Sequence, residues 1–241
     1  MFDHVTIRVS DAKASRQFYE TVLEVLGISA TYSDERLIEW DDFSLAPASG
    51  EKPPTRRLHL GFVAPSRAHV DAFWKVGIEA GHRDDGAPGL RPEYGDDYYG
   101  SFLLDSEGNS AEAVHHDEAA DRSGIDHLWM RVADVEASRR FYETIAPYGG
   151  FRLNRGLPER AQFTSPHGSF SVVAGRPSEN VHLAFPASEN AVVDAFHHAA
   201  TAAGYRDNGS PGERPEYHPG YFGAFVLDPD GNNIEVVSHN R

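Results

Sequence analysis

Cysteine is absent from these 241 residues, which removes disulfides, thiolate catalysis and thiolate zinc sites together. Any metal must therefore be held by nitrogen and oxygen. No apolar run approaches the roughly 18 residues of a membrane span. Basic residues are also scarce, with 22 Lys and Arg against 37 Asp and Glu and a formal net charge of −15. Such a field repels phosphate backbones and anionic headgroups, so nucleic acid and membranes are not expected partners. The opening Met1-Phe2-Asp3-His4-Val5 reads as a strand and has no signal-peptide core, so the expected location is the cytoplasm.

What remains is an ordinary globular composition, 40% hydrophobic with fourteen Phe and three Trp for packing. The length suits one large domain or two of about 120 residues. An internal repeat decides between them. Asp3-His4 returns as Asp126-His127, Phe18-Tyr19-Glu20-Thr21 as Phe141-Tyr142-Glu143-Thr144, and His59-Leu60 as His182-Leu183. Arg91-Pro92-Glu93-Tyr94 returns as Arg214-Pro215-Glu216-Tyr217, and Glu112 as Glu235. Every pair is separated by 123 positions, a register that chance does not hold over a whole chain. The expectation is two tandem domains, 1–114 and 124–241, joined by a polar linker at 115–123.

Within each half the pattern is doubled again. Val5, Ile7 and Val9 alternate with polar residues as a strand. Asp11 is placed to cap a helix carrying Phe18, Tyr19, Val22 and Leu26 at helical spacing, with Gly27 as its stop. Short strands follow near Arg36–Trp40 and Phe43–Pro47. Then come a strand at Leu58–Val63, a helix from about Ser66 to Ala80, a strand at Ser101–Leu104, a turn at Asp105-Ser106-Glu107-Gly108-Asn109, and a strand at Ser110–His115. The second half repeats the order. This predicts an α+β fold with helices on one face of each sheet.

Strand alternation then sorts the polar residues. His4 opposes Val5 and Ile7, His59 opposes Leu58 and Leu60, and Glu112 opposes Ala111 and Ala113. His127, His182 and Glu235 repeat these positions, so all six are expected on the face away from the helices. A lone strand histidine is more often a hydrogen-bonded structural residue, and a lone inward Glu is as readily explained by a salt bridge to an Arg such as Arg8 or Arg131. Three ligand types on one face, present twice, point instead to a divalent cation, since a carboxylate aimed into a cleft is costly without a positive partner. Two imidazoles and a carboxylate suit iron(II), nickel, cobalt, manganese or zinc. Tyr94, Tyr98 and Tyr99, and in the second half Tyr217, His218 and Tyr221, precede the last strands. Of these Tyr94, Tyr217 and His218 are the candidate proton-transfer residues, with packing as the alternative.

The opening Asp-His-strand followed by Ser-Arg-x-Phe-Tyr-Glu, and the closing Asp228-Pro229-Asp230-Gly231-Asn232-Asn233-Ile234-Glu235, resemble the vicinal oxygen chelate superfamily. That group includes glyoxalase I, extradiol dioxygenases and bleomycin resistance proteins. The resemblance spans nearly all of both halves and implies paired βαβββ modules forming cupped mixed sheets around a metal. It carries the metal positions onto His4, His59, Glu112, His127, His182 and Glu235. Both arrangements found in the superfamily stay open, a centre within one half or one combining His4 with His182 and Glu235. Glyoxalase I-like members add a fourth ligand, a Glu on the strand ending the first module. Phe43–Pro47 and Phe170–Ala174 hold no carboxylate, so a dioxygenase-like reaction on a small substrate with vicinal oxygens is favoured over lactoylglutathione lyase activity. A drug-binding protein without turnover is the alternative. The resemblance also implies an intramolecular pseudo-dimer, alone or within a higher oligomer.

Overall fold

A computed structural model describes residues 1–117 and 124–240, so the last six positions of the expected linker lie outside the described residues. The chain forms two compact units, Ile7–Trp129, and Met1–Thr6 together with Met130–Arg241.

The unit Ile7–Trp129 contains the end of β1 (His4–Val9), α1 (Ala12–Glu24), β2 (Tyr32–Ser33), β3 (Ile38–Trp40), β4 (Phe43–Pro47) and β5 (Leu58–Val63). It continues with α2 (Arg67–Glu79), β6 (Arg83–Leu90), β7 (Tyr99–Leu104), β8 (Ser110–His115) and the start of β9 (Ile125–Val132). Its strands run in the orders β9-β5-β8-β7-β6 and β1-β4-β3-β2. Asp11 caps α1 as expected, its carboxylate accepting from the Ala14 amide at 2.9 Å. Phe18, Tyr19, Val22 and Leu23 form the buried stripe of that helix. Tyr19 packs on Phe43 at 4.8 Å, and Phe43 on Phe62 at 5.2 Å, an aromatic cluster within a core that also contains Ile, Val, Leu and Ala. Helix α2 packs across β6, β7 and β8.

The turn between β7 and β8 fixes the register of the last strand. Asp105 accepts from the amides of Glu107 and Asn109, and the buried Tyr19 hydroxyl donates to it at 3.1 Å. Asn109 in turn accepts from the Leu58 amide at 3.1 Å and donates to the Thr55 carbonyl at 3.0 Å. The turn is thus tied to the start of β5, and β8 runs parallel to β5 with Glu112 opposite Gly61. Asp228 and Asn232 repeat the arrangement, with Tyr142 donating to Asp228.

The second unit contains the start of β1, the end of β9, α3 (Val135–Gly149), β10 (Arg152–Leu157), β11 (Arg160–Ser165), β12 (Gly168–Ala174) and β13 (His182–Pro186). It ends with α4 (Asn190–Ala202), β14 (Arg206–Glu213), β15 (Tyr221–Leu227) and β16 (Asn233–His239). The strand orders are β14-β15-β16-β13-β1 and β10-β11-β12-β9. Asp134 caps α3 through the Ala137 amide, and Gly150 ends it in the left-handed region at φ 69°. Helix α4 packs on β14, β15 and β16, and α3 on β10, β11 and β12. Leu183 and Ala184 of β13 and Val236 and Val237 of β16 are buried.

The class is α+β with mixed sheets, as expected. Four strands are additional, β2 and β6 in the first repeat and β10 and β14 in the second. β6, reading Arg-Asp-Asp-Gly-Ala-Pro-Gly-Leu, and its repeat β14 lack apolar alternation and stand at the ends of their strand orders. An edge strand is where Pro and Gly are tolerated, because its outer backbone groups pair with nothing. Among the described residues no helix is long and apolar enough to cross a membrane.

Candidate metal centres

The structure brings the six expected ligands into two groups of three, and each group mixes the two sequence repeats. His4, His182 and Glu235 meet in one unit, and His59, Glu112 and His127 in the other, with the ligand atoms of each group within 4.8 Å of one another. Strand order accounts for the exchange. β1 lies beside β13, with His4 opposite Ala184 and Thr6 opposite His182, while β9 lies beside β5.

Both groups are tight triangles. His59 Nε2 lies 3.1 Å from His127 Nε2 and 3.0 Å from Glu112 Oε2, and His127 Nε2 lies 3.2 Å from the same oxygen. In the other, His4 Nε2 lies 3.0 Å from His182 Nε2, with 3.1 Å from His182 Nε2 and 3.6 Å from His4 Nε2 to Glu235 Oε2. Ligands at right angles and about 2.1 Å from a shared ion are about 3.0 Å apart, and at tetrahedral angles about 3.4 Å. The triangles fit a single divalent cation. Among the described residues each group contains three ligand-type side chains.

The outer contacts orient the ligands. Asp3 accepts from His4 Nδ1 at 2.8 Å and Asp126 from His127 Nδ1 at 2.9 Å. A carboxylate only accepts, so Nδ1 of His4 and of His127 carries a hydrogen and the ring presents Nε2 to the triangle, the orientation of a metal-ligating histidine. His239 and His116 stand behind these aspartates at 2.8 and 3.2 Å. The Glu oxygens are divided as well. Tyr98 donates to Glu112 Oε1 at 2.8 Å and Tyr221 to Glu235 Oε1 at 2.6 Å, which leaves Oε2 to the triangle. Two glycines make room for this. A Cβ on Gly100 or Gly223 would stand 2.5 or 2.6 Å from Oε1 of Glu112 or Glu235.

Charge follows the same pattern. Burial raises the Glu112 carboxyl, but hydrogen bonds and charge from His127 and His59 outweigh it and hold it at about 2. Burial lowers the His127 imidazole, but Asp126 and Glu112 outweigh that and lift it to about 10. Asp126 and Asp3 are also raised by burial and lowered further by their histidines, with a net depression in both. Burial and then the adjacent glutamates push the Tyr98 and Tyr221 phenols well above their usual range, so they act as donors.

The expected proton-transfer residues lie further out. Tyr94 and Tyr217 are 47% and 60% exposed and pack on Tyr98 and Tyr221 at 5.2 and 4.8 Å. His218 Nε2 lies 2.8 Å from His239 Nδ1, so it reaches His4 only through His239 and Asp3. Sequence reasoning did not assign roles to Asp3, Asp126, His116 and His239. The signal was present, because Asp-His and a histidine at or just past the end of the last strand both recur at the repeat offset.

A family model described as the Glyoxalase/Bleomycin resistance protein/Dioxygenase superfamily matches residues 1–113 and again 124–236. Among solved structures the chain is similar to glyoxalase I from maize (Zea mays), with 17% identity, a TM-score of 0.66, and 99% of this chain and 92% of that one covered. It is also similar to a candidate dioxygenase from Bacillus subtilis, with 14% identity, a TM-score of 0.67, and coverage of 100% and 85%. At these identities the likeness is one of fold. No curated protein is significantly similar to the chain. With both repeats matched over nearly their whole length, the chain belongs to the glyoxalase/bleomycin resistance protein/dioxygenase superfamily.

Proposed function

We propose that each His, His, Glu group holds one divalent cation, and that the chain is an enzyme acting on a small molecule that offers it two adjacent oxygens. The observation that supports this most is the pair of triangles with 3.0–3.6 Å sides, each with an Nδ1 donating outward to an aspartate. When bound, such an ion supplies Lewis acidity and, if it is iron(II), a means of engaging dioxygen. The protein's part is positioning. Asp3 and Asp126 hold imidazole orientation, and Tyr98 and Tyr221 keep one oxygen of each buried Glu occupied. Tyr94 and Tyr217, at the exposed margin, are placed to touch a ligand, while His218 acts on His4 through His239 and Asp3.

Three protein ligands leave up to three positions on a six-coordinate ion, room for a two-oxygen substrate and one further small molecule. This favours dioxygenase-like chemistry over isomerisation of a hemithioacetal. Elemental analysis after loading with iron(II), nickel or zinc is expected to give two ions per chain, falling towards one in Glu235→Gln. Iron-loaded protein is then assayed for oxygen uptake on a panel of catechols, beside a methylglyoxal–glutathione assay. Hemithioacetal turnover without oxygen uptake would reverse the ranking, and ligand binding with neither activity would favour a sequestering protein.

A further inference from the structure

The two triads have the same ligand types but not the same walls. Four aromatic side chains surround the His59, Glu112, His127 group. Trp129 lies edge-on to His59 at 6.0 Å and to His127 at 6.4 Å. Tyr94 stands edge-on to Trp129 at 5.6 Å and packs on Tyr98 at 5.2 Å. Phe102 lies 5.9 Å from His59, with the Arg91 guanidinium 5.3 Å above its ring. Trp129, Tyr98 and Phe102 are only half-buried, and Tyr94 is exposed.

Around His4 and His182 the same places are held by Tyr217, Tyr221 and Phe225, with Arg214 over Phe225. The fourth place differs. The counterpart of Trp129 is Thr6, paired opposite His182 across β1 and β13. One centre thus has an indole beside its imidazoles where the other has a short polar side chain.

A tryptophan left half open beside three ligand-type groups offers a broad flat apolar surface at the place where a bound molecule's body would extend. We infer that the His59–Glu112–His127 centre selects ligands whose adjacent oxygens are carried on a planar aromatic ring, that Trp129 is its specificity-determining residue, and that the centre with Thr6 lacks this selection. The inference rests on the metal reading above. A ring stacked or set edge-on against the indole gains contact that an aliphatic chelator with the same oxygens does not, so the two ligand types separate the wall from the ion.

The test uses the full chain loaded with zinc, a redox-inert ion, with the other centre silenced by His182→Ala and Glu235→Gln. Zinc binding is first measured by calorimetry. 4-Nitrocatechol binding is followed by its absorbance change and acetohydroxamate binding by competition. Trp129→Thr is expected to weaken 4-nitrocatechol about tenfold and to leave acetohydroxamate within about twofold, with Trp129→Phe in between. Thr6→Trp, in a chain silenced instead at His59 and Glu112, is expected to raise the preference for the aromatic ligand. Equal weakening of both ligands, or none, in a zinc-binding protein overturns the role of Trp129 and leaves the metal reading intact. Absence of zinc binding overturns both.

Discussion

Replacing Gly61 by alanine perturbs one triad at a single point. Gly61 lies on β5, and a Cβ there would stand 2.5 Å from Nδ1 and 2.8 Å from Nε2 of His127, and closer still to Cε1. Ordinary van der Waals contact begins near 3.4 Å, so the imidazole must withdraw by about 1 Å. That movement is opposed by the 2.9 Å hydrogen bond to Asp126 and the 3.2 Å approach to Glu112. The second triad already carries the substitution. The counterpart of Gly61 is Ala184, and there His4 stands 3.6 Å from Glu235 and is half-buried, whereas His127 is buried. Gly61→Ala should therefore leave the fold intact and move His127 towards the looser His4 geometry. Disturbing an orienting contact of a ligand typically weakens metal affinity about 10–100-fold, or about 1.4–2.7 kcal/mol. Zinc calorimetry should then resolve one weakened and one unchanged centre. Ala184→Gly should shift the other centre the opposite way. Two unchanged affinities in Gly61→Ala would refute the argument that Gly61 sets the position of His127.

Three further outcomes are expected. Because His127 titrates near 10 and an ion needs its Nε2 lone pair, cation binding at that centre should release a proton at neutral pH. Affinity should rise by about tenfold per pH unit until about 10, while Glu112, at about 2, stays anionic throughout; calorimetry in buffers of different ionisation enthalpy would contradict this by showing no proton release. Tyr221→Phe leaves a buried Glu235 oxygen without its donor and should cost about 1–3 kcal/mol in the metal-free protein, read from the denaturant midpoint. An unchanged midpoint would remove the positioning role of the phenol. A fragment of residues 124–241 keeps His182 and Glu235 but loses His4 and the β1 edge beside β13. It should be unstable or associate into a homodimer, and sedimentation showing a stable folded monomer would count against this.

Much of the fold was legible because local signals agreed. Asp11 and Asp134 precede apolar stripes at helical spacing, and both cap helices. β6 and β14 were not legible, since an edge strand needs no apolar alternation and tolerates Gly and Pro. For the centres, strand alternation put the six side chains on faces and the repeat paired them by type. Which three meet depends on β1 lying beside β13 and β9 beside β5, a long-range pairing that period-2 patterning does not encode. Tyr98 and Tyr221 stood out only as aromatics in a loop-strand segment. Their hold on the glutamates depends on the close approach that Gly100 and Gly223 permit, visible only in three dimensions.

The mixed parentage of the triads has a consequence for how such a chain can change over time. Each centre takes two ligands from one repeat and the third from the other. Removing either repeat would therefore take at least one ligand from each triad, so the two candidate centres depend on both copies at once. The residues around the ligands carry no such tie. Trp129 against Thr6, His218 against Gly95 and Gly61 against Ala184 are positions at which the two repeats differ. The chain is thus free to specialise at its walls while its ligand set stays shared property of both repeats.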